Sequence, residues 1–107
     1  EADMVFDARF LANPHYIADL RDLTGLDPAV GDYVAADEGF DVFFESVTTM
    51  LGSLVPRFSQ EGKSYLTIAV GCTGGRHRSV YVAEKIAAWL CENGEQAGIS
   101  HRDLPGA

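Results

Sequence analysis

Residues 65–79 read Tyr65-Leu66-Thr67-Ile68-Ala69-Val70-Gly71-Cys72-Thr73-Gly74-Gly75-Arg76-His77-Arg78-Ser79. The first half favours β structure and is largely apolar on both faces, which predicts a strand buried within a sheet. The second half is rich in glycine and polar side chains, which predicts a turn. Apolar residues then recur at helical spacing from Val80 to Leu90, and Asn93-Gly94 is a typical helix stop. The segment therefore predicts a strand, a glycine loop and a helix in direct succession.

The rest of the chain alternates between strand and helix patterns, which favours an α/β fold. We predict a single domain over residues 1–107, in which a small, central, mostly parallel sheet of about four strands is flanked by helices. The other predicted elements are a strand from Met4 to Phe10, a helix from Asn13-Pro14 to about Arg21, a brief helix from Asp27-Pro28 toward Ala36, a long helix from Asp41 that Pro56 ends or kinks, and a last short strand at 96–100.

Length and composition narrow the class of protein. The chain has 107 residues and two cysteines, Cys72 and Cys91, which form no framework of paired spacings. We therefore expect a reduced, cytoplasmic setting, with a disulfide between the two cysteines as the alternative. No apolar run approaches the roughly 18 residues that a membrane span needs, so no membrane role is expected. The chain begins with Glu1, and we expect a fragment or processed chain without a secretion signal.

The charged residues are unevenly distributed in this acidic chain. Sixteen carboxylates face eight Lys and Arg, yet no carboxylate occurs from Gly62 through Ala83. All three histidines lie near arginines, which suggests that separate segments converge on one anion; chance clustering is the alternative. The candidate residues outside the glycine loop are Arg9, Asn13, His15, His101 and Arg102.

The glycine loop itself is rich in groups that donate hydrogen bonds to an anion. Its glycines let backbone amides approach a ligand, and the start of the next helix adds unpaired amides and a positive dipole end. We expect phosphate, sulfate or a sugar phosphate, bound with millimolar to micromolar affinity for phosphate alone. A purely structural turn is the alternative. The predicted ligand-binding residues in the loop are Cys72, Thr73, Gly74, Gly75, Arg76, His77, Arg78 and Ser79.

The loop matches one of two common phosphate-handling motifs and carries no familiar metal-binding pattern. A nucleotide P-loop is not matched, because no Gly-Lys-Ser/Thr closes the segment. Cys72, five residues and Arg78-Ser79 resemble the signature of cysteine-dependent phosphatases, in which the thiolate attacks phosphorus. Gly71 replaces the usual histidine, and Asp7 is the only suggested proton donor, so phosphatase activity ranks second to a sensor that is not an enzyme. No metal site is expected, because no ligand pair has a familiar spacing.

Three longer motifs resemble the C-terminal domain of the RapZ/YvcJ proteins, and the match runs across most of the chain. The motifs are Phe6-Asp7-Ala8-Arg9-Phe10-Leu11-Ala12-Asn13-Pro14-His15-Tyr16, Leu23-Thr24-Gly25-Leu26-Asp27 and Gly71-Cys72-Thr73-Gly74-Gly75-Arg76-His77-Arg78-Ser79-Val80-Tyr81.

The resemblance implies a regulatory domain that binds glucosamine-6-phosphate or a related phosphorylated amino sugar. It also implies an N-terminal P-loop domain elsewhere in the full-length protein, which alone would bind ATP or GTP, and self-association. Relatives in enteric bacteria bind a small RNA and present it to RNase E. Because residues 100–107 lack the basic ending of those relatives and the net charge is −8, we expect RNA binding to be weak or lost.

Overall fold

The computed structural model describes residues 2–104. The last three residues of the tail at 100–107, which lacks a basic ending, lie outside this range. Two short strands are separated along the chain by helices. The two longest helices correspond to the two predicted amphipathic patterns. The elements are strand β1 (Met4–Asp7), a 3-10 helix (Pro14–Tyr16), α1 (Pro28–Ala35), α2 (Phe40–Gln60), β2 (Ile68–Gly71) and α3 (Arg78–Glu92).

The two strands of the described chain pair in parallel, from Met4 opposite Ile68 to Asp7 opposite Gly71. Parallel strands need a long crossover, which α1 and α2 provide here. Both strands therefore end at the same edge of the sheet. Just beyond that edge, the Ala8 amide donates to the Gly71 carbonyl over 2.8 Å and continues the contact into the following loops.

The predicted α/β class with parallel strands is confirmed, but the prediction of about four strands is not. Residues 96–100 form no strand, and within residues 2–104 the sheet contains β1 and β2 alone. β1 ends at Asp7 because Ala8 enters a turn, in which its carbonyl accepts from the Leu11 amide. β2 begins at Ile68, three residues later than expected, since Thr67 instead donates its amide to the Asp3 carboxylate.

Two helix predictions also need correction. The predicted helix from Asn13 to Arg21 is limited to one 3-10 turn, although the Asn13 side chain caps it as expected. Its only buried residue is Pro14, so no apolar face holds a longer helix in place. Of the two effects predicted for Pro56, the end of the helix is wrong, because α2 continues to Gln60. The predicted helices beginning at Pro28 and near Ser79 are confirmed, because their bounds agree within one residue.

The core lies between the helices and the sheet. Phe40 stacks on Phe44 with ring centroids 5.7 Å apart and packs against Tyr81 of α3. α3 also covers β2 and thereby holds the loop between them. Within residues 2–104, no helix has the length and apolar character needed to cross a membrane. The buried apolar residues are Ala8, Leu11, Leu20, Val30, Val34, Phe40, Val47, Leu51, Val80, Val82 and Ile86.

Candidate anion-binding site

The predicted ligand loop leaves β2 at the sheet edge where β1 also ends. A shallow depression of about 360 Å³ opens there between the two strand ends. Arg9 and Asp7 line it from one side, while Gly71, Cys72 and Thr73 line it from the other. In open parallel sheets, ligands bind outside this edge. The fold therefore brings the first predicted motif and the start of the glycine loop to one depression.

A larger cavity of about 800 Å³ lies elsewhere, between the C-terminal half of α2, α3 and residues 95–100. Most of its walls are apolar side chains and coil backbone, with Lys63 and Glu95 as its charged residues. None of the predicted anion ligands lines it. The smaller depression is the better candidate site, because Arg9 and the first residues of the loop line it.

The loop backbone requires glycine at two positions. Gly74 and Gly75 have φ of 82° and 67°, a region that side chains other than glycine rarely adopt. The loop then enters α3, whose N-cap residue His77 makes no side-chain capping bond. The first amides of α3 are therefore available for other acceptors, at the positive end of the helix dipole.

One of these amides is directed at Cys72. The Ser79 amide donates to Cys72 Sγ over 3.2 Å, and the Ser79 hydroxyl lies 3.2 Å from the same sulfur. Burial opposes ionisation, but bonds from Ser79 and the Gly75 amide, together with the charge of Arg78, outweigh it and lower the pKa of the Cys72 thiol. The loop thus gathers its donors around a point where negative charge is stabilised.

Arg78 is buried, with 4% of its surface exposed. Its Nη1 donates to the carbonyls of Arg9 and Leu11, over 2.5 and 3.0 Å. Its Nε is buried and has no hydrogen-bond partner among residues 2–104. A buried guanidinium N–H normally has an acceptor. Arg78 therefore joins the loop to the Arg9 segment and retains one unused donor.

Arg9 reaches the depression as an ion pair with Asp7. Its Nε and Nη2 contact the Asp7 carboxylate at 2.6 to 3.0 Å, on an exposed surface. Hydrogen bonds from the Arg9 side chain and amide lower the pKa of Asp7 to about 2. The depression therefore presents a positive and a negative group side by side, and the charge of Arg9 is partly neutralised.

Arg76 and His77 face the segment that follows the 3-10 helix. Arg76 is exposed, and its Nη2 lies 3.4 Å from the Asp22 carbonyl. His77 is buried, and its Nε2 lies 3.2 Å from the Arg21 carbonyl, which fits an Nε2–H donor. The Gly25 amide donates to the Arg76 carbonyl over 2.8 Å. The second motif, residues 23–27, thus contacts the loop through its backbone and supports it.

Asn13 and His15 are not brought into contact with the loop. The Asn13 side chain accepts from the His15 amide as a helix cap. The exposed His15 ring packs on Tyr16, and its carbonyl accepts from Arg21 Nε. Their link to the loop is indirect, through Arg21 and His77.

The C-terminal segment returns to the loop by a different residue from those expected. His101 pairs with Glu84 of α3 at 2.7 Å, and Arg102 is exposed. A Cβ atom at Gly75 would collide with the Asp103 carboxylate, so Asp103 lies directly against the loop.

Sequence reasoning missed Asp103, Arg21 and Asp22 as neighbours of the loop. An anion site is expected to be lined by cations and neutral donors, so the negative charge of Asp103 argued against it. Arg21 and Asp22 contribute through their carbonyls, which have no signature in the side-chain pattern. Their position just before the Leu23-Thr24-Gly25 motif was the only available signal.

Comparison with known proteins agrees with the resemblance in the three motifs. A family model described as the RapZ C-terminal domain matches residues 1–105. A nucleotide-binding protein of Rhodospirillum rubrum is 65% identical over 104 residues, covering 97% of this chain and 33% of that protein. Nucleotide-binding proteins of Paramagnetospirillum magneticum and Symbiobacterium thermophilum are 64% and 51% identical, covering 97% and 98% of this chain and 34% and 35% of theirs. The chain spans about a third of these relatives, and it belongs to the family of RapZ C-terminal domains.

Proposed function

We propose that this domain is a regulatory sensor that binds a phosphorylated amino sugar, such as glucosamine-6-phosphate, at residues 71–79. The observation that carries the proposal is the set of donors directed at one point: two loop amides, the Ser79 hydroxyl and the charge of buried Arg78 all favour negative charge at Cys72. A phosphate beside this point meets the same donors at the start of α3.

The exposed loop residues would complete the phosphate site. Thr73 and Arg76 are solvent-accessible, and neither is held by a carboxylate. Charge-assisted hydrogen bonds contribute about 1.5–3 kcal/mol each. After an association cost of at least ~4 kcal/mol, a few such bonds give an affinity between millimolar and micromolar. That range suits a sensor of a metabolite.

The depression also supports an amino sugar rather than a neutral one. Asp7 lines it, and the pKa of Asp7 is lowered to about 2, so this carboxylate is ionised at neutral pH. A sugar ammonium would find an acceptor there while its phosphate lies at the loop. His15 and Asn13, both candidates for sugar contacts, would reach the ligand only after the 3-10 helix moves closer.

Calorimetry with glucosamine-6-phosphate tests the proposal. Arg76→Ala should weaken binding by roughly tenfold or more, since one charge-assisted bond is lost. Arg57→Ala is the matched control, because Arg57 is an exposed residue of α2, and it should leave the affinity unchanged. Alanine at Arg78 is a poor probe, because its guanidinium also holds two backbone carbonyls. Equal affinities of wild type and the Arg76 variant would contradict the assignment.

We further propose that ligand binding is communicated to an N-terminal partner domain in the cytoplasm and that the protein self-associates. The partner domain is supported by the length of the relatives, of which this chain spans about a third, and by their names as nucleotide-binding proteins. Self-association is proposed from the family resemblance alone. In a full-length relative, glucosamine-6-phosphate should then change the affinity for ATP or GTP, and sedimentation should give a mass above that of the monomer.

A cysteine-dependent phosphatase is the second candidate, favoured by the lowered pKa of Cys72. The thiolate would attack phosphorus and expel the alcohol oxygen, and water would then hydrolyse the phosphocysteine. Asp7 is unsuited to protonating the leaving oxygen, because its pKa of about 2 leaves it ionised. An aryl phosphate with an acidic phenol needs no proton donor. Turnover that disappears in Cys72→Ser would establish this activity, and no turnover would rule it out.

A further inference from the structure

Cys72 places a nucleophilic sulfur inside the candidate anion site. Its Sγ accepts from the Ser79 amide over 3.2 Å, and the same residue lines the open depression at the strand ends. The sulfur therefore accepts a hydrogen bond that favours its thiolate form, in a half-buried residue that borders the open depression. Only the thiolate form of cysteine is a strong nucleophile, and hydrogen bonds and nearby positive charge increase its population.

Arg78 provides an independent indication of a negative partner. The side chain is 4% exposed, and its Nε has no acceptor among the described residues. Its positive charge acts on the Cys72 thiol and helps to lower the pKa of that group. A buried, incompletely paired guanidinium stabilises any negative or oxygen-bearing species formed at the neighbouring sulfur.

Cys91 offers a comparison within the same molecule. It lies exposed near the end of α3, away from the loop, and its sulfur makes no hydrogen bond within residues 2–104. At 1.5 Å per residue, α3 separates Cys91 from the Ser79 end of the helix by about 18 Å. A disulfide between Cys72 and Cys91 therefore requires unfolding.

We propose that Cys72 is a redox-sensitive modification site, which hydrogen peroxide oxidises to a sulfenic acid, and that this oxidation prevents anion binding by the loop. The loss of binding rests on the proposed function, whereas the oxidation site does not. Peroxide is neutral, so the net charge of −8 does not repel it from the loop.

The chemical step is a two-electron transfer. The Cys72 thiolate attacks one peroxide oxygen, the S–O bond forms as the O–O bond breaks, and the hydroxide that leaves is protonated by the buffer to give water. Sulfur is oxidised and peroxide is reduced. The added oxygen accepts from the Ser79 and Gly75 groups that a phosphate oxygen would otherwise use. Without a second cysteine in reach, an external thiol is needed to restore Cys72.

Competitive labelling tests the oxidation site. The protein is treated with limiting hydrogen peroxide and dimedone, which tags sulfenic acids, and the two cysteine peptides are quantified by mass spectrometry. Cys72 should be tagged roughly tenfold faster than Cys91, although Cys91 is the more exposed, because thiolate population controls the rate. Ser79→Ala should bring the Cys72 rate closer to that of Cys91. Equal rates for both cysteines in the wild-type protein would overturn the inference.

Calorimetry on Cys91→Ser protein tests the consequence. Peroxide should abolish glucosamine-6-phosphate binding, and dithiothreitol should restore it. Intact binding in protein with fully oxidised Cys72 would overturn the regulatory half. Fast tagging of Cys72 in a reduced protein that binds no phosphate would support the oxidation site and contradict only the proposed function.

Discussion

Gly25 shows how a single residue without a side chain supports the site. It lies behind the loop, and its amide donates to the Arg76 carbonyl over 2.8 Å. A Cβ atom at this position would collide with the His77 carbonyl oxygen and lie 2.6 Å from the Tyr81 amide nitrogen. Both atoms are backbone at the start of α3 and cannot rotate away. The close approach of the second motif to the loop therefore depends on glycine.

We expect Gly25→Ala to lower the free energy of unfolding by about 1–3 kcal/mol, as overpacking does in other proteins. Gly52→Ala is the control, because it replaces a glycine within a helix and the added methyl group would lie at an ordinary contact distance of 3.8 Å from Trp89. It should raise stability by up to about 1 kcal/mol. Urea denaturation measures both, and an unaffected Gly25 variant would show that the close packing is absent.

The Asp7–Arg9 ion pair predicts a dependence of stability on pH. The pKa of Asp7 falls from 3.8 to about 2 in the folded chain, so its contribution is complete above 3.8 and lost as the pH falls toward 2. Urea midpoints of wild type and Asp7→Asn should differ near pH 6 and converge near pH 2. High salt should shrink the difference, since the pair is exposed. A constant difference across this range would contradict the pairing.

Among the elements, α2 departs most clearly from local expectation. Pro56 lies within it, lacks an amide proton and should interrupt the helix. Phe40, Val47 and Leu51 are buried along one face, and this packing keeps the helix continuous. Tertiary contacts thus outweigh the local penalty of proline.

Pro56→Ala should therefore stabilise the protein, by up to about 3 kcal/mol, the difference in helix propensity between the two residues. Ser53→Ala on the same helix is the control and should change stability by no more than about 0.5 kcal/mol. Thermal unfolding followed by circular dichroism gives both values. A lower melting temperature for the Pro56 variant would indicate that the proline stabilises the helix end.

The sequence predicted elements well where capping and periodicity agreed. Asp27-Pro28 and the repeat after Ser79 correctly indicated α1 and α3, because both signals are local. The predicted number of strands was not confirmed, since residues 96–100 carry a strand-like pattern but no described neighbour pairs with them. The position of the site at one edge of the sheet was predictable, because the carboxyl ends of parallel strands meet at the same edge. The burial of Arg78 could not be predicted, because it depends on carbonyls of Arg9 and Leu11 far away in the chain.

For the whole molecule, the balance of charge governs which polyanions can bind. Eight Lys and Arg face sixteen carboxylates, and several of these cations already have partners within the chain. Arg9 pairs with Asp7, Arg78 holds carbonyls, and Lys63 pairs with Asp3. Extended contact with a phosphate backbone needs many free cations, whereas one phosphate group needs few.

Structured RNA should consequently show no gel shift with this chain at about physiological salt, where surface charges are screened within roughly 8 Å. The same preparation should bind glucosamine-6-phosphate, which verifies that the domain is folded. Tight RNA binding that weakens steeply with added salt would contradict the charge argument.

Arg78 connects two parts of the chain that are distant in sequence. Because its Nη1 bonds to the carbonyls of Arg9 and Leu11, the glycine turn and the end of the first strand are already assembled before a guest arrives. A preorganised binding site loses little conformational freedom when the ligand binds, so even a small ligand can be bound without a large contact area.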